Sequence, residues 1–193
     1  MTEPTAPAGD DGPTPSFQLI APGTADDATL DTIWNILVVV DREFVPPLSA
    51  RSGTLERCLT QETIWGGPVS YFDQLTHQHV VLARVGNEPA AVMSFIRGYR
   101  DGALADWSPS TYVSTTAVLP RFRRRGLGAA LNEYVEHRPE TIADRYVSRR
   151  TWSTNTGNLA LLAAAGYSEV LRLPDDRGPG VDTVYFVKDL QAT

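Results

Sequence analysis

The stretch "STYVSTTAVLPRFRRRGLGAALNEYVEH", residues 110–137, constrains this chain more than any other. A run of β-branched and apolar residues gives way to four arginines within five positions, then to Gly-x-Gly, then to apolar residues at helical spacing. Leu127, Leu131, Tyr134 and Val135 mark one face of that helix, and Pro139 limits it. The segment reads as strand, tight glycine turn and helix. Such a junction aims free backbone N–H groups and the positive end of a helix dipole at one point, which favours a phosphate. Gly126 and Gly128 let the anion approach the backbone, and arginines just before the turn add charge-assisted contacts.

Other readings of the same residues fit less well. A Walker A loop needs a lysine after its last glycine, and none is present here. A Rossmann fingerprint places glycine or alanine where Leu131 stands, inside a first-strand βαβ unit that this chain lacks. A solvated charge run beside a plain turn is the bland alternative, and the strand-turn-helix context argues against it.

The rest of the chain is organised around this junction. Its 193 residues, 42% hydrophobic and 21% charged, suit one domain with an ample core. A net charge of −6 disfavours nucleic acid and anionic membrane, because both reward an extended basic face. Cys58 is the only cysteine, so no intrachain disulfide can form, and no secretory pattern is visible. A cytoplasmic protein is expected. Residues 1–15, rich in Pro, Gly, Thr and Asp, read as a disordered tail, leaving residues 16–193 as the domain.

Within that domain, "FQLI" is a short strand, and Asp26 or Asp27 caps a helix carrying Leu30, Ile33, Trp34, Leu37 and Val38. A weaker helix is expected after Ser52-Gly53, through Leu55 and Leu59. Residues 79–99 read as a hairpin around Gly86-Asn87-Glu88-Pro89, followed by a long loop. Strict alternation along residues 111–119 places Tyr112, Ser114, Thr116 and Val118 on one face. "RYVSRRTWS" is a strand, "NLALLAAAG" a helix closed by Gly166, and "SEVLRL" and "TVYFVKDL" are final strands. This order describes an α/β (α+β) fold, a mixed sheet with helices on both faces.

Residues 117–131, "AVLPRFRRRGLGAAL", resemble the acyl-CoA-binding motif of the GNAT superfamily of N-acyltransferases, [RQ]-x-x-G-x-[GA] after a strand ending in V-x-P. Arg123, Gly126 and Gly128 fill its defined positions. Residues 154–167, "TNTGNLALLAAAGY", resemble that family's later motif through Asn155, Gly166 and Tyr167. The resemblance spans roughly residues 17–190. It implies a mostly antiparallel sheet whose central strands splay apart to admit acetyl-CoA or another acyl-CoA, with no metal. The amides of Arg124, Arg125, Gly126, Leu127, Gly128 and Ala129 would hold the pyrophosphate. Thr116, Ala117 and Val118 would pair with the pantetheine, the Val118 amide would polarise the thioester carbonyl, and Asn155 would bind the cofactor.

The implied reaction acylates a primary amine, on a small molecule or a protein. The family's usual acid is a tyrosine seven residues after the asparagine, where this chain has Leu162. Ser153, Tyr167 or water are substitutes. Tyr112 is the candidate proton relay on the strand. His77 and His79 titrate in a useful range but are expected outside a strand. Asp41, Glu43, Asp73 and Asp106 are candidates for holding an ammonium group, and Trp107 and Trp152 for walling the acceptor pocket. Assembly is left open between monomer and homodimer. A protein that binds acyl-CoA without turnover and a nucleotide binder are the rival functions.

Overall fold

The computed structural model describes residues 14–55 and 67–191. Its frame is the hairpin of β2 (His79–Val85) and β3 (Glu88–Tyr99), turned by Gly86 at φ +60° and Asn87. On one side β1 (Pro15–Ile20) pairs antiparallel to β2, beginning two residues before the expected Phe17. On the other, β3 pairs with β4 (Ser110–Val118), which runs parallel to β5 (Tyr146–Trp152). With β6 (Ser168–Leu173) and β7 (Thr183–Asp189) the order is β1-β2-β3-β4-β5-β7-β6, a seven-stranded mixed sheet in which only β4 and β5 are parallel.

Helices cover both faces, as the sequence predicts. On one face lie α1 (Asp27–Val40) and α2 (Val69–Thr76), on the other α3 (Leu127–Glu136) and α4 (Thr156–Ala164). The Asp26 carboxylate caps α1 by accepting from the Thr29 N–H at 2.8 Å. Ile33, Ile36, Leu37 and Val40 of α1 are buried, while Val38 is exposed, so the helix is rotated away from the expected apolar face. Among the described residues no helix is long and apolar enough to cross a membrane.

Two expectations fail here. The predicted helix near Ser52 is absent from residues 51–55, and its remainder, with Leu59 and Cys58, lies outside the described residues. Gly53 instead seats the Gln74 side chain, whose oxygen accepts from the Thr54 N–H at 3.0 Å, so this stretch is braced against α2. The helix α2 itself, burying Tyr71 and Leu75 four residues apart, is not among the elements the sequence reading predicts.

The second failure is more consequential. Strict alternation along β4 is broken by a β-bulge: Ser94 pairs with Thr115 and Phe95 with Val113, leaving Ser114 as the extra residue. Val113 and Val118 therefore belong to the core beneath α3 and α4, whereas Ala117 joins the core beneath α1 and α2. Tyr112 does not share a face with Thr116 and Val118. The Ser114 hydroxyl, freed from the ladder, bonds Ser94 Oγ at 2.8 Å and Gln78 Oε1 at 2.5 Å.

Candidate active site

Pairing between β4 and β5 stops at Val113 opposite Arg149, although β4 continues to Val118 and β5 to Trp152. β5 stays on β7 over its full length, so β4 is left with an open edge beyond the bulge. The Leu119 N–H donates to Ala90 O at 2.9 Å, toward β3. By the alternation of an antiparallel ladder, Thr116 and Val118 then aim their backbone groups the other way, into the gap. A cavity of about 490 Å³ fills this gap, lined by Thr116, Val118 and Gly126 on one wall and Arg150, Trp152 and Asn155 on the other.

The turn above the gap is the segment in which the sequence places an anion site. Arg124 at φ +62° and Gly126 at φ +75° adopt left-handed backbone, which reverses the chain into α3. The Arg123 N–H is used by Pro120 O and the Ala130 N–H by Gly126 O. Between them, the N–H groups from Arg124 to Ala129 meet no acceptor among the described residues. Together with the helix dipole, these uncommitted donors fit a pyrophosphate. Gly128 has a further reason to be glycine, since a Cβ there would lie 3.0 Å from Leu161 Cδ2 of α4.

Of the residues expected at the cofactor, Thr116, Ala117, Val118, Arg123, Arg124, Gly126, Leu127, Gly128, Ala129 and Asn155 line the cavity. The Arg125 side chain is exposed and lies outside the lining. Arg123 is not a free cation: its Nε donates to Val118 O at 2.8 Å and its Nη2 to Glu43 Oε2 at 2.5 Å. It braces the turn against the end of β4 and the segment after α1. Asn155 is also engaged, its oxygen accepting from the Asn158 N–H at 3.3 Å as the cap of α4 and its amide donating to Thr151 Oγ1 at 3.3 Å.

Residues 52–167 match the Acetyltransferase (GNAT) family. The chain belongs to the GNAT acetyltransferase family. Solved GNAT-fold structures agree at low identity. An N-acetyltransferase from Staphylococcus aureus Mu50 aligns with a TM-score of 0.61 and 12% identity, over 91% of this chain and 99% of its own. The ribosomal-protein-S18-alanine N-acetyltransferase from Escherichia coli aligns at 0.57 and 14%, over 92% and 96%. A GNAT family acetyltransferase from Elizabethkingia anophelis with acetyl-CoA bound aligns at 0.57 and 14%, over 91% and 97%. No curated protein sequence matches the chain.

The resemblance implies an acid seven residues after Asn155, and that position is Leu162. Leu162 is fully buried in the core beneath α3 and α4, and Leu161 faces the cavity instead. The substitutes for the missing acid are placed elsewhere. Ser153 Oγ accepts from the Asp182 N–H at 2.9 Å, and Tyr167 is sealed in the core with its phenol bound to Glu136. Tyr112 lies outside the cavity lining, stacked on Tyr99 at 4.6 Å. Burial raises its phenol above the ordinary range, against the opposing pull of Arg150, so it stays neutral.

The remaining candidates sort by location. Asp41 is tied to Ser49, and the Asp73 and Asp106 side chains lie outside the cavity lining. Glu43 does line it, as the one carboxylate among its described lining residues. His79 sits within β2, contrary to expectation, stacked on Phe95 at 5.1 Å, and burial followed by the charge of Arg97 lowers its pKa. His77 caps α2 at its C-terminus. Trp152 walls the cavity beside Phe44 at 5.6 Å, whereas Trp107 packs on the Tyr185 cluster. Sequence reasoning missed Phe44, Arg150 and Asn158; alternation back along β5 from Trp152, a wall candidate, points to Arg150.

Proposed function

We propose that this GNAT protein transfers an acetyl group from acetyl-CoA to a primary amine. The observation that carries the reading is the row of uncommitted N–H groups from Arg124 to Ala129, opening into the same cavity as the unpaired edge of β4. The first suits a pyrophosphate and the second an extended amide-bearing arm that adds like a strand. Acetyl-CoA has both parts, and it occupies the Elizabethkingia anophelis relative. The transfer to an amine is in keeping with the N-acetyltransferases among the similar folds.

In this reading the neutral amine attacks the thioester carbonyl, the amide of Val118 stabilises the charge that develops on its oxygen, and as the C–S bond breaks the new C–N nitrogen gives up its extra proton to solvent. A thiol has an ordinary pKa near 8.5, so the departing thiolate needs no side-chain acid, which suits a cavity with Leu161 where an acid would have to reach. Glu43 keeps its Oε2 on Arg123, and in this reading its carboxylate also holds an ammonium group at the cavity wall before that group's proton leaves to solvent. The acceptor is a small molecule or a protein amine, and the working compartment is the cytoplasm.

A non-catalytic acyl-CoA sensor is the second reading, favoured by the buried Leu162. Free thiol released on mixing the protein with acetyl-CoA and an amine panel separates the two. Release that requires both the protein and an amine supports transfer; binding of acetyl-CoA without release across the panel supports the sensor.

A further inference from the structure

We propose that Glu43 is a positioning residue for the coenzyme, acting through Arg123 to hold the turn from Arg124 to Ala129 in the shape that takes the pyrophosphate. The proposal rests on the coenzyme half of the transfer reading and adds to it a residue eighty positions earlier in the chain. Arg123 stands immediately before the row of uncommitted N–H groups and is tied at three points. Its N–H donates to Pro120 O at 3.2 Å, its Nε to Val118 O at 2.8 Å and its Nη2 to Glu43 Oε2 at 2.5 Å. The next residue, Arg124, sits at φ +62°, a conformation disfavoured for any residue with a Cβ. The turn therefore needs a hold at its start.

Glu43 is a fixed anchor for that hold. It ends the short turn Asp41–Glu43 between two braced neighbours. Asp41 accepts from the Ser49 N–H at 2.7 Å and from Ser49 Oγ at 2.9 Å, and Phe44 packs on Trp152 with ring centroids 5.6 Å apart. Val40, just before the turn, is buried in the core beneath α1 and α2. The other end of the brace, Val118 O, belongs to the last residue of β4, and the following N–H, that of Leu119, is fixed on Ala90 O. Arg123 thus ties the start of the turn to two places that α1 and the sheet already hold.

The four arginines of the junction divide accordingly. Arg121 pairs with Glu88 at 2.8 Å and Arg123 with Glu43, while Arg124 and Arg125 form no ion pair among the described residues. Charge alone makes Glu43 a poor choice here, because a carboxylate in the wall of a phosphate site repels the ligand. Its side chain and that of Arg123 are 44% and 38% exposed, and an exposed ion pair contributes little to folding. A contact that orders a binding turn in advance raises affinity by removing that cost from the binding step. Repulsion and ordering have opposite signs for coenzyme affinity, and the fork that Arg123 makes between Val118 O and Glu43 favours ordering.

Calorimetry of the full chain with coenzyme A, in the absence of any amine, tests this role apart from an ammonium group at Glu43. Glu43→Gln should weaken coenzyme A by about fivefold or more, although it removes a negative charge from the site. In an Arg123→Gln background the same change should leave the affinity unchanged or tighten it, because the contact through which Glu43 acts is gone. Arg123→Lys, which keeps the charge but offers one nitrogen in place of the fork, should raise the KM for acetyl-CoA by about fivefold or more with little change in kcat. Affinity in Glu43→Gln equal to or tighter than in the unmodified protein, the same loss in both backgrounds, or a fall in kcat without a rise in KM overturns the proposal and leaves the coenzyme reading standing. No binding of coenzyme A by the unmodified protein overturns both. The expected calorimetric pattern without thiol release from any amine upholds the positioning role and sinks the transfer reading.

Discussion

The Tyr167 hydroxyl donates to Glu136 Oε1 at 2.5 Å, inside the core and away from the cavity. Arg149 Nε donates to the same hydroxyl at 3.0 Å, and Lys188, the only lysine, bonds the other Glu136 oxygen at 2.6 Å. The motif tyrosine that closes α4 therefore anchors α3 to β5 and β7 through a buried charge network. Tyr167→Phe should lower stability by about 1.5–3 kcal/mol, the range for a hydrogen bond to a charged group, and leave turnover per folded molecule unchanged. Urea unfolding beside thiol-release kinetics checks both halves.

Gly126 opens α3 at φ +75°, a conformation that β-branched residues rarely adopt. A Cβ at this position meets nothing within 4 Å in the protein, so crowding within the fold is not the obstacle. The cost falls on the turn geometry and on the space the phosphate needs. Gly126→Val should weaken acetyl-CoA by about tenfold or more, equivalent to about 1.4 kcal/mol, as read by calorimetry. Unchanged affinity would mean that the pyrophosphate lies elsewhere.

Leu162→Tyr should not restore a family acid. Leu162 packs within the core, so a larger polar side chain costs roughly 1–3 kcal/mol of overpacking and has no route to the cavity without displacing α4. A lower melting temperature with no rise in kcat is the expected outcome.

Tyr112→Phe should leave the pH profile of the reaction unchanged. Burial holds this phenol protonated through the working range, so its proton is not lost as pH rises toward the ordinary tyrosine value of 10.0. A shifted alkaline limb in the variant would return Tyr112 to the mechanism.

The strand-turn-helix junction was legible because its chemistry is local: backbone conformation at Arg124 and Gly126 follows from the glycines and the arginine run beside them. The mostly antiparallel sheet with its splayed central strands followed from the family resemblance. The face assignment of β4 did not, because the bulge at Ser114 depends on Gln78 and Ser94, which are distant in sequence. Arg123 looked like a phosphate ligand until Glu43, eighty residues earlier, was seen to hold it. Helix α2 was missed because eight residues carry too short a period to stand out.

The coenzyme site formed by the splay and the turn is tested most directly by thermal unfolding of the unmodified protein with acetyl-CoA, NAD or ATP. At a ligand concentration of about 100 times Kd, acetyl-CoA should add about 2.7 kcal/mol of stability, and NAD and ATP should add none at the same concentrations. No stabilisation by acetyl-CoA at saturating concentration, or equal stabilisation by NAD, would contradict the account.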